Sequence, residues 1–533
     1  QNLPPAVIRT CATRLDASLL QMAHAATSID FAAFGENAIA TCRLRFPISK
    51  RGGFLRNTVD VSYAAFMGGL LSVLPTLLNR TSTNGTVIPG FAPKIGEALL
   101  GLGAFDVGNE ESCYTFFTRP NGSSLGALFK QLWSKLQVEV APPGLLAPEE
   151  GWLSIPVDGA GHLDDESMHK PQRTLTWERE DARYELLNER ILALPRADQE
   201  RKAWRSVDRH SSAFVSSLPC GTNVIGNGEL PECFAMYFGL ESPACRPLVG
   251  QLLKGQPLDK WGNLLTTLPL EGDGWRTAHD SLKWLIFDLL REATVEVRCE
   301  VLGLFSHLIS QQERFSGLPF RIRNACVPDF MVQPGDGTPR FLADIKRVYC
   351  GSALTNAYSG AAQNFQCGAV ARRQRKVHPE YHDKAKEVDV KYNSHDPLSP
   401  GMGPVESALD QYGRVRGLVV GAFGEISTDL DALIRDIGAL GAARGWREMG
   451  AISVVEARAV LTARARRCIG IEAVRGHARL KIDRLASLSG DLGAGSRRRT
   501  QSHAACDARR RAYAHHRGPR VWGTSPRRDR DFF

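Results

Sequence analysis

Between His279 and Ala422 the spacing of apolar residues changes period several times, and each change marks an element. Leu282, Leu285, Ile286, Leu289 and Ala293 recur at helical spacing, so 279–293 is predicted to be an amphipathic helix. From Thr294 to Leu302 the period shortens to two: Val295, Val297, Cys299 and Val301 alternate with Glu296, Arg298 and Glu300, which predicts a strand with an acidic face. Residues 325–332 and 341–348 are two more apolar runs of strand length, and Gly335-Asp336-Gly337 between them has the glycines a hairpin loop needs. Residues 364–392 are charged and helical in composition, with a new helical piece expected at His378-Pro379 because proline suits a first turn. Val415 to Ala422 is a continuous apolar run suited to a buried last strand. Ser427 then stands as N-cap for a helix over 428–442, and 456–488 reads as another helix.

The N-terminal half has a different texture. Helical periodicity recurs, as at 125–136 and 182–194, between Gly/Pro loops at 84–93, 142–151 and 155–163. Pro219, Gly226, Gly228, Pro231 and Pro243 punctuate a loop-rich stretch before the first helix above. With 533 residues, 43% of them hydrophobic, the chain can bury several cores. The expectation is an α+β multi-domain protein: an α-rich region at 1–215, a connector at 216–275, an α/β domain at 276–442, a helical extension at 443–494 and a tail at 495–533. The most apolar window, 66–78, is 13 residues with Pro75 inside, too short to cross a bilayer, so no membrane partner is expected.

The chemistry concentrates in the predicted hairpin. Pro328-Asp329 lies on one run and Asp344-Ile345-Lys346 on the other, 15 residues on. Pairing the runs sets Asp329 beside Asp344, and period-two alternation puts Asp344 and Lys346 on one face. Two carboxylates offer hard oxygen ligands for Mg²⁺ or Mn²⁺, which activates a water and stabilises charge on a phosphate being cleaved. Lys346 supplies the positive charge that orients the attacking water or helps deprotonate it. Glu300 is the candidate third acid and third metal ligand. The plain alternative is a surface hairpin with a cross-strand ion pair worth under about 1 kcal/mol.

This hairpin and its flanks resemble the PD-(D/E)XK nuclease superfamily, which implies a restriction-endonuclease-like core in the order αβββαβ and Mg²⁺-dependent phosphodiester hydrolysis. A second resemblance is narrower. Residues 43–57, RLRFPISKRGGFLRN, look like the segment that follows the polymerase in reverse-transcriptase proteins of non-LTR retroelements, although Arg51-Gly52-Gly53-Phe54-Leu55-Arg56 lacks the third glycine of that pattern. In those proteins a restriction-like endonuclease lies downstream, with a zinc knuckle, a His-x-x-Leu helix, a strand with Glu, Pro-Asp and a further Asp; His279-Asp280-Ser281-Leu282, Glu300, Pro328-Asp329 and Asp344 fall in that order. The resemblance implies a DNA endonuclease of a retroelement, a nuclear site of action, a thumb-like N-terminal half and a reverse transcriptase upstream, the chain opening on Gln1. RNA or an RNA/DNA hybrid is a possible further partner. The competing reading is a catalytically inactive scaffold that binds nucleic acid. Where the knuckle belongs, residues 259–264 have no His or Cys, and Cys220, Cys233 and Cys245 form no close pair, so no zinc is expected.

Twelve scattered cysteines without close pairs suit free thiols in a reducing, intracellular compartment. The net charge of +9 is uneven: Gly495 to Phe533 holds 11 arginines against 3 aspartates, or +8, which leaves +1 for the rest. Such a tail is expected to be disordered and to hold nucleic acid through counterion release. Within the α/β domain, Arg372, Arg373, Arg375 and Lys376 stand where the second helix would flank the site, the candidate grip on phosphates beside the scissile bond.

Overall fold

The structure, a computed structural model, describes residues 5–59, 61–62, 65, 171–218, 223–270, 273–293, 295–309, 326–335, 339–351, 368–396, 398 and 401–488. The apolar window 66–78, the helix expected at 125–136, the three loops at 84–163, Cys220, Asp336-Gly337 and the tail 495–533 lie outside the described residues. The fold is mixed α/β, rich in helix, with small sheets. No described helix is long and apolar enough to cross a membrane.

The chain divides into two compact units, Gln1–Pro195 and Arg196–Phe533. In the first unit, α1 (Pro5–Thr27), α2 (Ile39–Arg45) and α3 (Pro171–Ala193) accompany a tight loop over residues 46–55. Gly53, Phe54 and Leu55 donate backbone hydrogen bonds to Arg43, Phe46 and Leu44. A Cβ on Gly52 would stand 2.1 Å from the Phe46 carbonyl oxygen, so that glycine is required by close approach. Phe54 adopts φ +67°, a left-handed conformation that glycine takes without strain.

The second unit opens with α4 (Gln199–Ser206) and α5 (Ala213–Ser216). The expected loop-rich connector proves to be structured, with α6 (Leu230–Phe238), a two-residue hairpin of β1 (Leu252–Leu253) and β2 (Gln256–Pro257), and α7 (Asn263–Thr267). Cys245, Leu253, Leu258, Leu264 and Leu265 form its small core with Leu485 of the last helix. Asp259 organises the loop at 259–264, accepting from the backbone N–H groups of Trp261, Asn263 and Leu264.

Next come α8 (Gly274–Glu292), β3 (Glu296–Cys299), β4 (Phe330–Gln333), β5 (Phe341–Arg347), α9 (Gly368–Tyr392), α10 (Pro404–Asp410), β6 (Arg416–Val420), α11 (Thr428–Gly445) and α12 (Val454–Leu488). The four strands form one sheet in the order β3-β4-β5-β6, antiparallel except for β6, which runs parallel to β5. The alternation read from the sequence sorts its faces. Phe341, Ala343 and Ile345 of β5, with Phe330, Val332, Leu418 and Val420, pack against α8, α11 and α12. Met331 and Leu342 point the other way, onto Val377, Tyr381 and Ala385 of α9. The sheet therefore lies between two helical layers.

The break expected at His378-Pro379 does not occur: α9 is one helix of 25 residues with Pro379 inside. Pro379 and Arg375, whose carbonyl loses its intrahelical donor, are both exposed, on the solvent side of the helix. Val377 and Tyr381 on either side are anchored in the core. Ser427 caps α11 as read from the sequence, its side chain accepting from Leu430 N.

Candidate active site

The β4–β5 register pairs Phe330 with Ala343, and one residue further on it sets Asp329 opposite Asp344. β4 begins only at Phe330, so Asp329 stands at the strand's mouth. Its Oδ2 accepts from Ile345 N at 2.7 Å and lies 3.1 Å from His279 Nε2 on α8. Asp344 is fixed from the opposite layer. It is 4% exposed, and its Oδ1 accepts from the Tyr381 hydroxyl of α9 at 3.1 Å. That hydroxyl also lies 2.9 Å from Val327 O, so its one proton is shared between two acceptors.

Lys346, two residues along β5, brings Nζ within 2.5 Å of Asp344 Oδ2. The two form an ion pair at this buried oxygen. Burial and the neighbouring charge of Asp329 push the Asp344 carboxyl above its ordinary pKa, against the pull of Lys346 and Tyr381. Asp329 moves the opposite way: burial disfavours its charge, but the hydrogen bond and charge of His279 and the Ile345 N–H outweigh burial and hold it low. The pair thus splits into a firmly ionised acid and one poised to bind a cation or a proton.

Glu300 lies elsewhere than its strand alternation suggests. It follows β3 with φ +46°, its N–H donates to Asp329 O at 3.0 Å, and its carboxylate meets Lys283 Nζ of α8 at 2.5 Å. Lys283, buried, also bonds Asp280 Oδ1 at 2.8 Å, and Asp280 in turn lies 3.1 Å from His279 Nδ1. Charges alternate along this row from Glu300 through Lys283, Asp280 and His279 to Asp329. Burial lowers the His279 pKa, but bonds to Asp280 and Asp329 prevail and raise it to about 9, so the ring is cationic at neutral pH. The acid read as a third metal ligand is therefore neutralised by a lysine, and among the described residues no three His, Cys, Asp or Glu side chains gather around a metal-sized space. The donors that fit a hard cation are the carboxylates of Asp344 and Asp329, which the hairpin register sets opposite one another.

The basic run on α9 divides. Arg373 forms a two-pronged ion pair with Glu380, with Nη2 to Oε2 at 2.9 Å, and the Lys346 charge acts on the same carboxylate. Arg372 is half-buried, whereas Arg375 and Lys376 are exposed, on the side of the helix away from the buried Gln374, Val377 and Tyr381. Arg373 is thus linked to the carboxylate centre, and Lys384, 5.4 Å from the Tyr381 ring, is a second flanking cation. Tyr381, Lys283 and Asp280 were missed. His279 entered the sequence reading only through its order in a motif; the i, i+4 relation of His279 and Lys283 on one helix face was the available signal. No family model, curated protein or solved structure matches the chain.

Proposed function

We propose that this chain is a Mg²⁺-dependent DNA endonuclease with a restriction-like core, acting as the target-cutting part of a retroelement protein that carries a reverse transcriptase. The observation that carries the reading is the buried Asp344 carboxylate, opposite Asp329 across the hairpin and ion-paired through Oδ2 with Lys346. Among the described residues the order α8-β3-β4-β5-α9-α10-β6, which is αβββαβ with one short helix, α10, added before the last strand, supports the core assignment. Asp344 and Asp329 would hold Mg²⁺, which would supply a more acidic water and charge stabilisation at phosphorus.

The residues of the chain do the rest. Tyr381 and His279 hold the two carboxylates from opposite helical layers, so neither must reorganise when the substrate arrives. Lys346 orients the water, whose oxygen attacks phosphorus as the P–O bond to the leaving oxygen breaks. The water's proton passes to solvent, and the leaving oxygen takes one from solvent. Lys346 then faces the charge that builds on the phosphoryl oxygens.

The pairing of Glu300 with Lys283 favours a second reading, a scaffold that binds nucleic acid without cutting. One experiment separates the two. The parent protein should nick plasmid DNA with Mg²⁺ or Mn²⁺ and be silent in chelator; Asp344→Asn and Asp344→Ala should lose at least about a hundredfold in rate with DNA affinity kept or improved. Cutting by those variants at the parent rate would remove the assignment, and a parent silent with both metals would favour the scaffold.

A further inference from the structure

Away from the carboxylate pair, arginines from three segments meet at the start of α11. Arg209 lies in the turn between α4 and α5, Arg435 in the second turn of α11 and Arg466 in α12. Arg209 Nη2 donates to Asp431 Oδ1 at 2.7 Å, and Arg435 Nε stands 3.5 Å from Asp431 Oδ2. Asp431 already serves both. α12 packs tightly on this turn: a Cβ on Gly470, one helical turn past Arg466, would stand 2.4 Å from His210 O. Arg466 Nε is buried there without a hydrogen-bond partner, and burial and the charges of Arg209 and Arg435 act against its guanidinium, with Asp431 opposing them.

The other polar groups do not relieve this. Asp208 is occupied by the backbone N–H groups of His210, Ser211 and Ile426. His210 is 3% exposed and burial keeps its pKa below the ordinary value, so it adds no charge at neutral pH. Arg209 and Arg435 have more than half of their side-chain surface exposed, at 57% and 56%, so the patch opens to solvent. Three planar, permanently charged forks outnumber the two acids, Asp431 and Asp208, and suit a phosphate, whose oxygens accept two-pronged hydrogen bonds.

We infer that Arg209, Arg435 and Arg466 form a binding site for the sugar-phosphate backbone of DNA, separate from the Asp329–Asp344 centre. Its placement fits one strand passing both. Asp431 is one turn from Thr428, which Gln374 of α9 holds at 2.9 Å, and Tyr381 lies seven residues further along α9. At 1.5 Å per residue the leg along α9 alone is about 10 Å, so the two sites are several phosphates apart at about 3.4 Å each along a duplex.

The test measures binding of the full chain to a labelled DNA duplex in chelator across a salt series, so it reads equally whether or not the protein cuts. Combined Arg209→Gln, Arg435→Gln and Arg466→Gln substitution should weaken binding tenfold or more at low salt and reduce the slope of log K against log salt by about two to three. Arg435→Gln alone, on an exposed side chain that leaves the fold intact, should reduce the slope by about one. Unchanged affinity and slope in both variants would overturn the site. So would a triple variant that loses inorganic phosphate or anionic phospholipid vesicles while binding DNA as before.

Discussion

Tyr381 illustrates how much of this site rests on single side chains outside any motif. Its hydroxyl donates to Asp344, and burial with the nearby carboxylates keeps it protonated far above neutral pH. Tyr381→Phe should lower stability by about 1–2 kcal/mol and cut the nicking rate about ten- to a hundredfold with little change in DNA affinity, seen as a loss in kcat rather than KM. His279 sets a pH dependence of folding. Its pKa is raised from 6.5 to about 9 in the folded chain, so its stabilisation is complete below about pH 6.5 and is lost as pH rises through about 9. With its side chain 29% exposed, the discounted contribution is on the order of 1–2 kcal/mol. Melting curves of the parent and His279→Ala, taken in chelator, should differ most at pH 6 and converge toward pH 10; a gap that widens with pH would reverse the sign.

At the scale of elements, close packing of helix on backbone decides more than propensity. Gly470 is the clearest case, because alanine there would favour α12 by about 1 kcal/mol in isolation. In the fold the added methyl would meet His210 O at 2.4 Å and Ala213 Cβ at 2.8 Å. Gly470→Ala should therefore destabilise by about 1–3 kcal/mol, measured by urea unfolding, and an alanine variant as stable as the parent would contradict that packing. Ser427 gives a smaller and more local test. Its Oγ accepts from Leu430 N and its hydroxyl donates to Gly417 O at 2.8 Å, tying the start of α11 to β6, so Ser427→Ala should cost about 1–2 kcal/mol.

For the whole molecule, the two compact units suggest that a fragment starting at Arg196 retains its own fold. Such a fragment should unfold cooperatively, and its nicking rate at saturating protein should stay within a few-fold of the parent; loss of the cooperative transition would show that the first unit is needed for folding. The charge distribution makes a separate prediction. With +8 of the net +9 carried by 495–533, deletion of that tail should weaken DNA binding for all sequences alike and flatten its salt dependence, while cleavage at saturation survives. A tail deletion that stops turnover would give those arginines a role in placing the scissile phosphate.

Periodicity was enough to read the elements, because strands buried on one face and amphipathic helices write their exposure into every second or every third to fourth position. It located α8, β4, β5, β6 and α11 to within a few residues, and the hairpin register that sets Asp329 opposite Asp344 followed from it. It failed where neighbours override local preference: Pro379 lies inside α9 because the turns around it are held in the core, and the Gly/Pro-rich stretch after 216 is structured because it packs on α12. The partners of each charge were decided only by the tertiary structure. Glu300 and Lys283 are 17 residues apart, Tyr381 and Asp344 are 37, and Arg209 and Asp431 are 222. Local spacing does not encode such pairs, since they form only once both helical layers have closed on the sheet and left each buried charge to its nearest counter-ion.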